Sequence, residues 1–203
     1  MTWEVAAAVV GLGVFHGLNP AMGWLFAVAL GLQERAAGRL AVLRALPPVA
    51  AGHLVSVAVV AVAFALTESA FATRTVAAGG GALLVGLGMW RLLSARHFRW
   101  VGMRLSGWEL GTWSFLMSSV HGAGLMLVPV LAHHSPLPAS AAVPAALAAS
   151  LLHTAAMLVT MAVVALLVVE VLGLAVLRRA WIDVDRIWAI ALIGAGAATV
   201  LTA

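Results

Sequence analysis

The sequence predicts an all-α integral membrane protein, with six transmembrane helices in a 3+3 inverted-topology repeat and a kinked first helix. Three observations carry that expectation. Of 203 residues, 64% are hydrophobic and 9% charged, with a mean hydropathy of +1.11. A soluble domain carries about 25% charged residues. Six apolar segments can be read, about 5–32, 48–67, 76–92, 110–132, 140–169 and 187–203, and crossing a bilayer takes roughly 20 such residues. Positive charge also alternates along the chain. All eleven basic residues are Arg, and ten of them fall in every second connection. Those connections are expected on the cytoplasmic side, with both termini outside. The whole chain, 1–203, then reads as one transmembrane domain with repeat units of about 1–95 and 105–203.

The first segment contains GLGVFHGLNPAMGW, with His16, the chain's only asparagine (Asn19) and Pro20 inside an uncharged run. His16 is twelve residues in, roughly 18 Å deep at 1.5 Å per residue, near the bilayer middle. Pro20 has no N–H for the carbonyl of His16. With Gly11, Gly13, Gly17 and Gly23 nearby, the span should kink or break here. Irregular backbone is tolerated at this depth only where it is buried in protein or lines a cavity. The sequence MTWEVAAAVV lacks a basic n-region, so the first span is expected to be retained.

Between segments one and two lie Arg35, Arg39 and Arg44; segment two, AAGHLVSVAVVAVAFAL, carries His53. Glu68 and Arg74 precede a third segment rich in glycine (Gly79, Gly80, Gly81, Gly86, Gly88). Arg91, Arg96, Arg99 and Arg104 lead to segment four, SSVHGAGLMLVPVLA, with His121, Gly122 and Pro129. The pair His133–His134, with Pro136 and Pro138, reads as an interfacial loop at the outer mouth. Segment five, ASLLHTAAMLVTMAVVALLV, carries His153. Arg178, Arg179 and Arg186 precede segment six, with Gly194 and Gly196. The stretch 170–181 reads as an interfacial helix, and Glu170, Asp183 and Asp185 as surface ion-pair partners of those arginines. Trp3, Trp90, Trp100, Trp108, Trp113 and Trp181 stand near span ends, as interface anchors do.

Segments four to six thus echo one to three: His-Gly with a later proline, then a histidine-bearing span, then a span of small residues. Three is an odd number of spans, so the second unit must enter the membrane inverted. Such folds place the solute site near the midplane, at the repeat interface. His16 pairs with His121 and His53 with His153. His53, five residues after Pro48, is expected nearer the cytoplasmic face than the others.

Four intramembrane histidines on four spans form the strongest chemical signal. Neutral imidazole binds Zn, Cu, Fe, Co and Ni. Met117 lies four residues before His121, and Met157 four after His153, so each shares a helical face with its histidine. Thioether and imidazole together would favour copper, although methionine also fills gaps in apolar cores. Asn19, Pro20, Gly17 and Gly122 are the candidate substrate-binding or gating positions. Ser114, Ser118 and Thr154 read as helix–helix hydrogen-bonding residues. No cysteine is present, which excludes disulfides and thiolate sites. With no acidic residue expected at the midplane, a hard-cation site for Mg²⁺ or Ca²⁺ is disfavoured, and no nucleophile–base set suggests an enzyme. Scattered arginines do not make a nucleic-acid surface.

The layout, with its histidine-and-proline first span, resembles the lysine-exporter superfamily, and within it the NicO-type nickel/cobalt exporters. Their first span carries His-x-x-x-Pro-Asp-His; here His16 and Pro20 answer the motif, shifted by one residue, without its Asp and second His. The stretch RHFRWVGMRLSGWELGTWSFLMSSVHGAGLMLV (96–128) also resembles small bacterial membrane proteins labelled arginine/ornithine antiporters. The resemblance implies a multi-pass protein of the bacterial inner membrane that exports a small solute. Partners are then the lipid bilayer and that solute or metal ion, and the small-residue third and sixth spans would also allow a homodimer, although packing within the monomer is the simpler use. Three functions are expected in this order. The first is a secondary transporter of a transition-metal ion (Cu, Zn, Ni or Co), possible proton coupling included. The second is an intramembrane haem- or copper-binding redox protein, and the third an exporter of an amino acid or other organic solute.

Overall fold

A computed structural model describes residues 1–34, 37–68, 73–93, 105–132 and 139–172, and near the C-terminus 189–190, 193–194, 196–197 and 200–201. Among these residues the protein is all-helical. The arginines at 35, 96, 99, 104, 178, 179 and 186 lie outside the described residues, as do His133, His134, Trp100, Trp181 and most of the expected interfacial helix.

Helix α1 (Trp3–Leu18) is capped by the Thr2 side chain and stops one residue short of Asn19. A 3-10 turn (Pro20–Met22) and then α2 (Trp24–Gln33) follow, so the expected first span is two helices joined by an irregular link. Gly23 supplies the turn between them with φ of 117°, a backbone region that L side chains rarely enter. The indole Nε1 of Trp24 donates across the break to the carbonyl of Leu18 at 3.3 Å.

Helix α3 (Gly38–Glu68) starts ten residues before the expected second span and takes Arg39, Arg44, Pro47 and Pro48 into its first turns. At 31 residues it is about 46 Å long, more than a hydrocarbon core needs, so its N-terminal turns have length to spare for charge. Helix α4 (Thr73–Leu93) matches the third segment. The fourth segment is again two helices, α5 (Gly107–Val120) and α6 (Ala123–Ala132), bent by 53° from one another. The bend falls at Gly122, with φ of 67°, not at Pro129, which sits inside α6. A capping box between Ser106 and Glu109 starts α5. Helix α7 (Ala139–Leu167) runs through Pro144 into a π-helical turn (Val168–Leu172).

Two of these helices, over Gly38–Leu66 and Ser140–Val171, are long and apolar enough to cross a membrane, and the bent α5–α6 pair makes a third. Trp3, Trp90 and Trp108 are exposed, whereas Trp24 is buried.

Close approaches of glycine to backbone define the packing. A methyl group on Gly13 would sit 2.8 Å from Ala156 Cβ, and one on Gly17 would sit 2.6 Å from Thr160 Cβ and 2.7 Å from the Met157 carbonyl. Residue numbers rise together along the α1–α7 contact, so these helices run parallel. Helices α3 and α5 meet the same way: Gly52 fits against Gly111 and Phe115, while further along Ser56 meets Ser119 at 2.9 Å. Small residues permit such backbone contact where apolar lipid gives no hydrophobic drive. Helix α2 runs antiparallel to α3, with Gly23 against Val49 and Gly31 against Val42. Helix α4 rests on the C-terminal segment through Gly88, against Ala189 and Ile193, and through Leu84 against Gly196. Gly81, Gly88 and Gly196 of the third and sixth segments therefore pack within the monomer, while a methyl added to Gly79, Gly86 or Gly194 would meet nothing within 4 Å among the described residues.

Two apolar layers flank the middle of this bundle. One contains Trp24, Val28, Val42, Leu46, Met157, Met161 and Val168; the other contains Val5, Val9, Val57, Ala123, Leu127 and Ala149. Beside the first layer, the Arg39 guanidinium and the Glu170 carboxylate form a two-pronged ion pair, with Nη2 to Oε2 at 2.8 Å.

Candidate functional site: a buried histidine cluster

Between the two layers, α1, α3 and α7 bring His16, His53 and His153 together. All three are fully buried. Ring centroids lie 5.5 Å apart for His16–His53, 4.8 Å for His16–His153 and 5.3 Å for His53–His153. The first two contacts are edge-to-face, and the last is a stack with planes 16° apart. His53, expected at the margin, is thus central. The reason is the early start of α3, which puts position 53 in mid-helix rather than just past a proline boundary. His121 is buried at the α5–α6 bend and lies within electrostatic reach of His16.

Local backbone explains how each imidazole is held. His16 is in the last turn of α1, and its Nδ1 is 2.9 Å from the Leu12 carbonyl, four residues back. His121 ends α5 and repeats the arrangement, with Nδ1 at 2.8 Å from the Met117 carbonyl. His153 Nδ1 reaches across to the Val9 carbonyl of α1 at 3.4 Å. A carbonyl only accepts, so in the neutral rings these three Nδ1 atoms carry the proton and Nε2 carries the lone pair. His53 differs: its Nδ1 faces the Ser118 hydroxyl of α5 at 2.7 Å.

The break after His16 is satisfied locally. The Asn19 N–H takes up the His16 carbonyl at 3.1 Å, in place of the donor that Pro20 lacks. Asn19 Oδ1 accepts from the Ala21 N–H at 2.9 Å and so starts the 3-10 turn. The amide Nδ2 of Asn19 has no hydrogen-bond partner among the described residues, although Asn19 is buried. The same holds for Nε2 of His53 and His153, Ser114 Oγ and Thr154 Oγ1. Buried polar atoms are nearly always paired, so these atoms are candidates for contact with a polar ligand.

Met157 and Met161 pack in the apolar layer with Trp24, Val28 and Leu46, and Met117 is buried one turn before His121. Gly17 lies in the α1–α7 contact and Gly122 forms the α5–α6 bend. Among the described residues no three His, Cys, Asp or Glu side chains form a ready metal-ion site. Stacked rings do not aim their nitrogens at one point, so a shared ligand would require an imidazole to turn. Ser118 was legible only as a helix–helix contact; nothing in its spacing from His53 marks the pair, because the two lie 65 residues apart. Comparison with protein-family models, curated proteins and solved structures found no match to this chain.

Proposed function

We propose that the chain is a membrane-embedded carrier of a small solute, a transition-metal cation held by the imidazoles of His16, His53, His121 and His153. One observation carries the reading: three fully buried histidines from three helices in mutual ring contact, beside broken backbone. Imidazole nitrogen with no carboxylate grouped beside it among the described residues suits Zn, Cu, Co or Ni and not a hard cation. Apolar layers on both sides would hold such an ion away from water, as an occluded state requires.

The proposal includes six spans built as an inverted repeat. In its favour, α1 and α5 each end at a His-Gly with Nδ1 bonded four residues back. The parallel pairs α1–α7 and α3–α5 also exchange into one another when the two halves are swapped. A site at such an interface serves alternating access by rocking of the halves. The arginine-rich connections would face the cytoplasm of a bacterial inner membrane.

Haem is disfavoured, because three imidazoles in mutual contact leave no slot for a macrocycle between them. The unpartnered atoms of Asn19, Ser114 and Thr154 favour a second reading, a small organic solute with hydrogen-bonding groups. Metal analysis with an absorption spectrum of the purified protein separates these. Stoichiometric Zn, Cu, Co or Ni that is lost in His16→Ala and His153→Ala supports the cation. A Soret band lost in the same variants would replace the reading with a haem protein. Absence of both, after soaking, would favour the organic solute.

A further inference from the structure

We propose that Asn19 and Ser114 form an anion subsite beside the histidine cluster, so that the metal ion is carried together with a small carboxylate ligand rather than alone. The orientation of the Asn19 amide is settled by its own turn. Oδ1 accepts from the Ala21 N–H at 2.9 Å. That leaves Nδ2 as the donor end, with no acceptor among the described residues and the residue 2% exposed. An amide N–H does not ligate a cation; it only donates to an acceptor. Ser114 is the second observation. Ser119, Ser150 and Thr160 each give their O–H to the carbonyl four residues back, the usual refuge of a hydroxyl in a helix. Ser114, fully buried on α5, does not, and its Oγ has no partner among the described residues. Both residues stand by the same turn of α3. Asn19 lies between His16, whose ring meets His53, and Gly23, which packs on Val49. Ser114 lies between Gly111 and Phe115, both against Gly52, and one turn before Ser118, which bonds His53.

Charge supplies the reason. Resting on the cation reading above, a divalent ion among neutral imidazoles would bring two positive charges between apolar layers, and a buried charge is costly unless paired. The described carboxylates stand too far along their helices to pair it. Glu4 is in the first turn of α1, Glu34 caps α2, Glu68 ends α3, Glu109 closes the capping box of α5, and Glu170 is held by Arg39. The ion therefore brings its own counter-charge. A carboxylate that binds the metal through one oxygen keeps lone pairs on the other for Asn19 Nδ2 and the Ser114 hydroxyl. The histidines hold the ion, and Asn19 selects its companion, a simple carboxylate or the carboxylate of a chelating amino acid.

Equilibrium binding of radioactive zinc and radioactive glycine to the full-length protein in lipid nanodiscs tests this. At equal free zinc, adding acetate or glycine to a buffer whose only other anion is a bulky sulfonate should tighten zinc binding roughly tenfold or more, the usual scale of coupling between two ligands. Glycine should be retained only with zinc, and in equimolar amount. Equal effects of acetate and glycine assign a simple carboxylate; a larger effect of glycine assigns the chelate. Asn19→Asp keeps the oxygen that accepts from Ala21 but exchanges the donor end for a negative charge. It should bind zinc in sulfonate alone as tightly as the parent does with acetate, and lose zinc-dependent glycine; that gain also reports a folded variant. Ser114→Ala should shrink the acetate effect. Zinc binding in the parent that ignores acetate and glycine, or an Asn19→Asp protein that still needs them, overturns the anion subsite and leaves the cation reading in place. Chloride as effective as acetate overturns the carboxylate assignment. Zinc that binds in none of these buffers overturns the cation reading itself, and glycine retained without zinc replaces it with the organic solute.

Discussion

His53 and His153 stack with ring planes 16° from parallel and centroids 5.3 Å apart, although α3 and α7 belong to opposite halves of the chain. Both rings are fully buried, and the Nε2 of each lacks a partner among the described residues. Such an arrangement costs desolvation of both nitrogens. A ligand taking up these nitrogens, as the proposed carrier requires, would offset that cost.

His153→Leu is accordingly expected to leave thermal stability unchanged or raised, since an apolar side chain of similar volume removes an unsatisfied buried group. Zinc affinity should fall by more than about tenfold, at least the loss that disturbing an outer-shell partner causes. Melting in detergent and calorimetric zinc titration read the two effects separately. A large drop in melting temperature would make the stack structural.

Gly17→Ala should force α1 away from Thr160 and Met157, at a cost of about 1–3 kcal/mol, the usual range for overpacking. Gly11→Ala, where an added methyl meets nothing within 4 Å, is the control and should be neutral or slightly stabilising. Equal melting temperatures for the two variants would mean that α1 and α7 are not in this contact.

Replacing Gly122 by Ala puts a Cβ at φ of 67° and should cost roughly 1–2 kcal/mol, with Asn better tolerated there than Ala. Gly23→Ala, at φ of 117°, should cost more, because no L residue is comfortable in that region. Denaturation of the four proteins side by side ranks them; Ala above Asn at 122 would contradict the assigned bend.

Arg39 and Glu170 join the start of α3 to the π-helical turn after α7. The Arg39 side chain is 76% exposed, so solvent screening leaves the pair little weight in stability. Glu170→Gln should barely move the melting temperature. Its effect is expected in transport, where the pair ties the two halves together on one side. The swap Arg39→Glu with Glu170→Arg should restore the rate that either single change alters; failure of the swap would deny the pairing a role.

Because the chain has no cysteine, single cysteines report topology without background. Thr2→Cys should react with an impermeant thiol reagent in intact cells, and Ala37→Cys only after lysis. The reverse result would invert the orientation argued from the arginines.

Sequence alone revealed the helical class and the break near Asn19, because Pro20 removes a backbone donor wherever it sits in a helix. The second break was not legible. Pro129 sits inside α6, while Gly122 bends the chain through a positive φ that any glycine merely allows. His53 was underrated for a related reason: Pro47 and Pro48 suggested a boundary, but α3 begins at Gly38 and carries them within it. Which histidines touch depends on parallel contacts between helices far apart in the chain, and no local pattern encodes those.

The bond from His153 to the Val9 carbonyl spans 144 residues, and that distance has a consequence for biosynthesis. When α1 and its interrupted continuation emerge from the ribosome, the helix that will shield Gly13, Gly17 and His16 has not yet been made. The nascent first half must wait, its irregular link and buried imidazole facing either insertion machinery or lipid. A chain released before α7 is synthesised should therefore be a ready target for quality-control proteolysis, and the two halves expressed as separate polypeptides should protect each other from it.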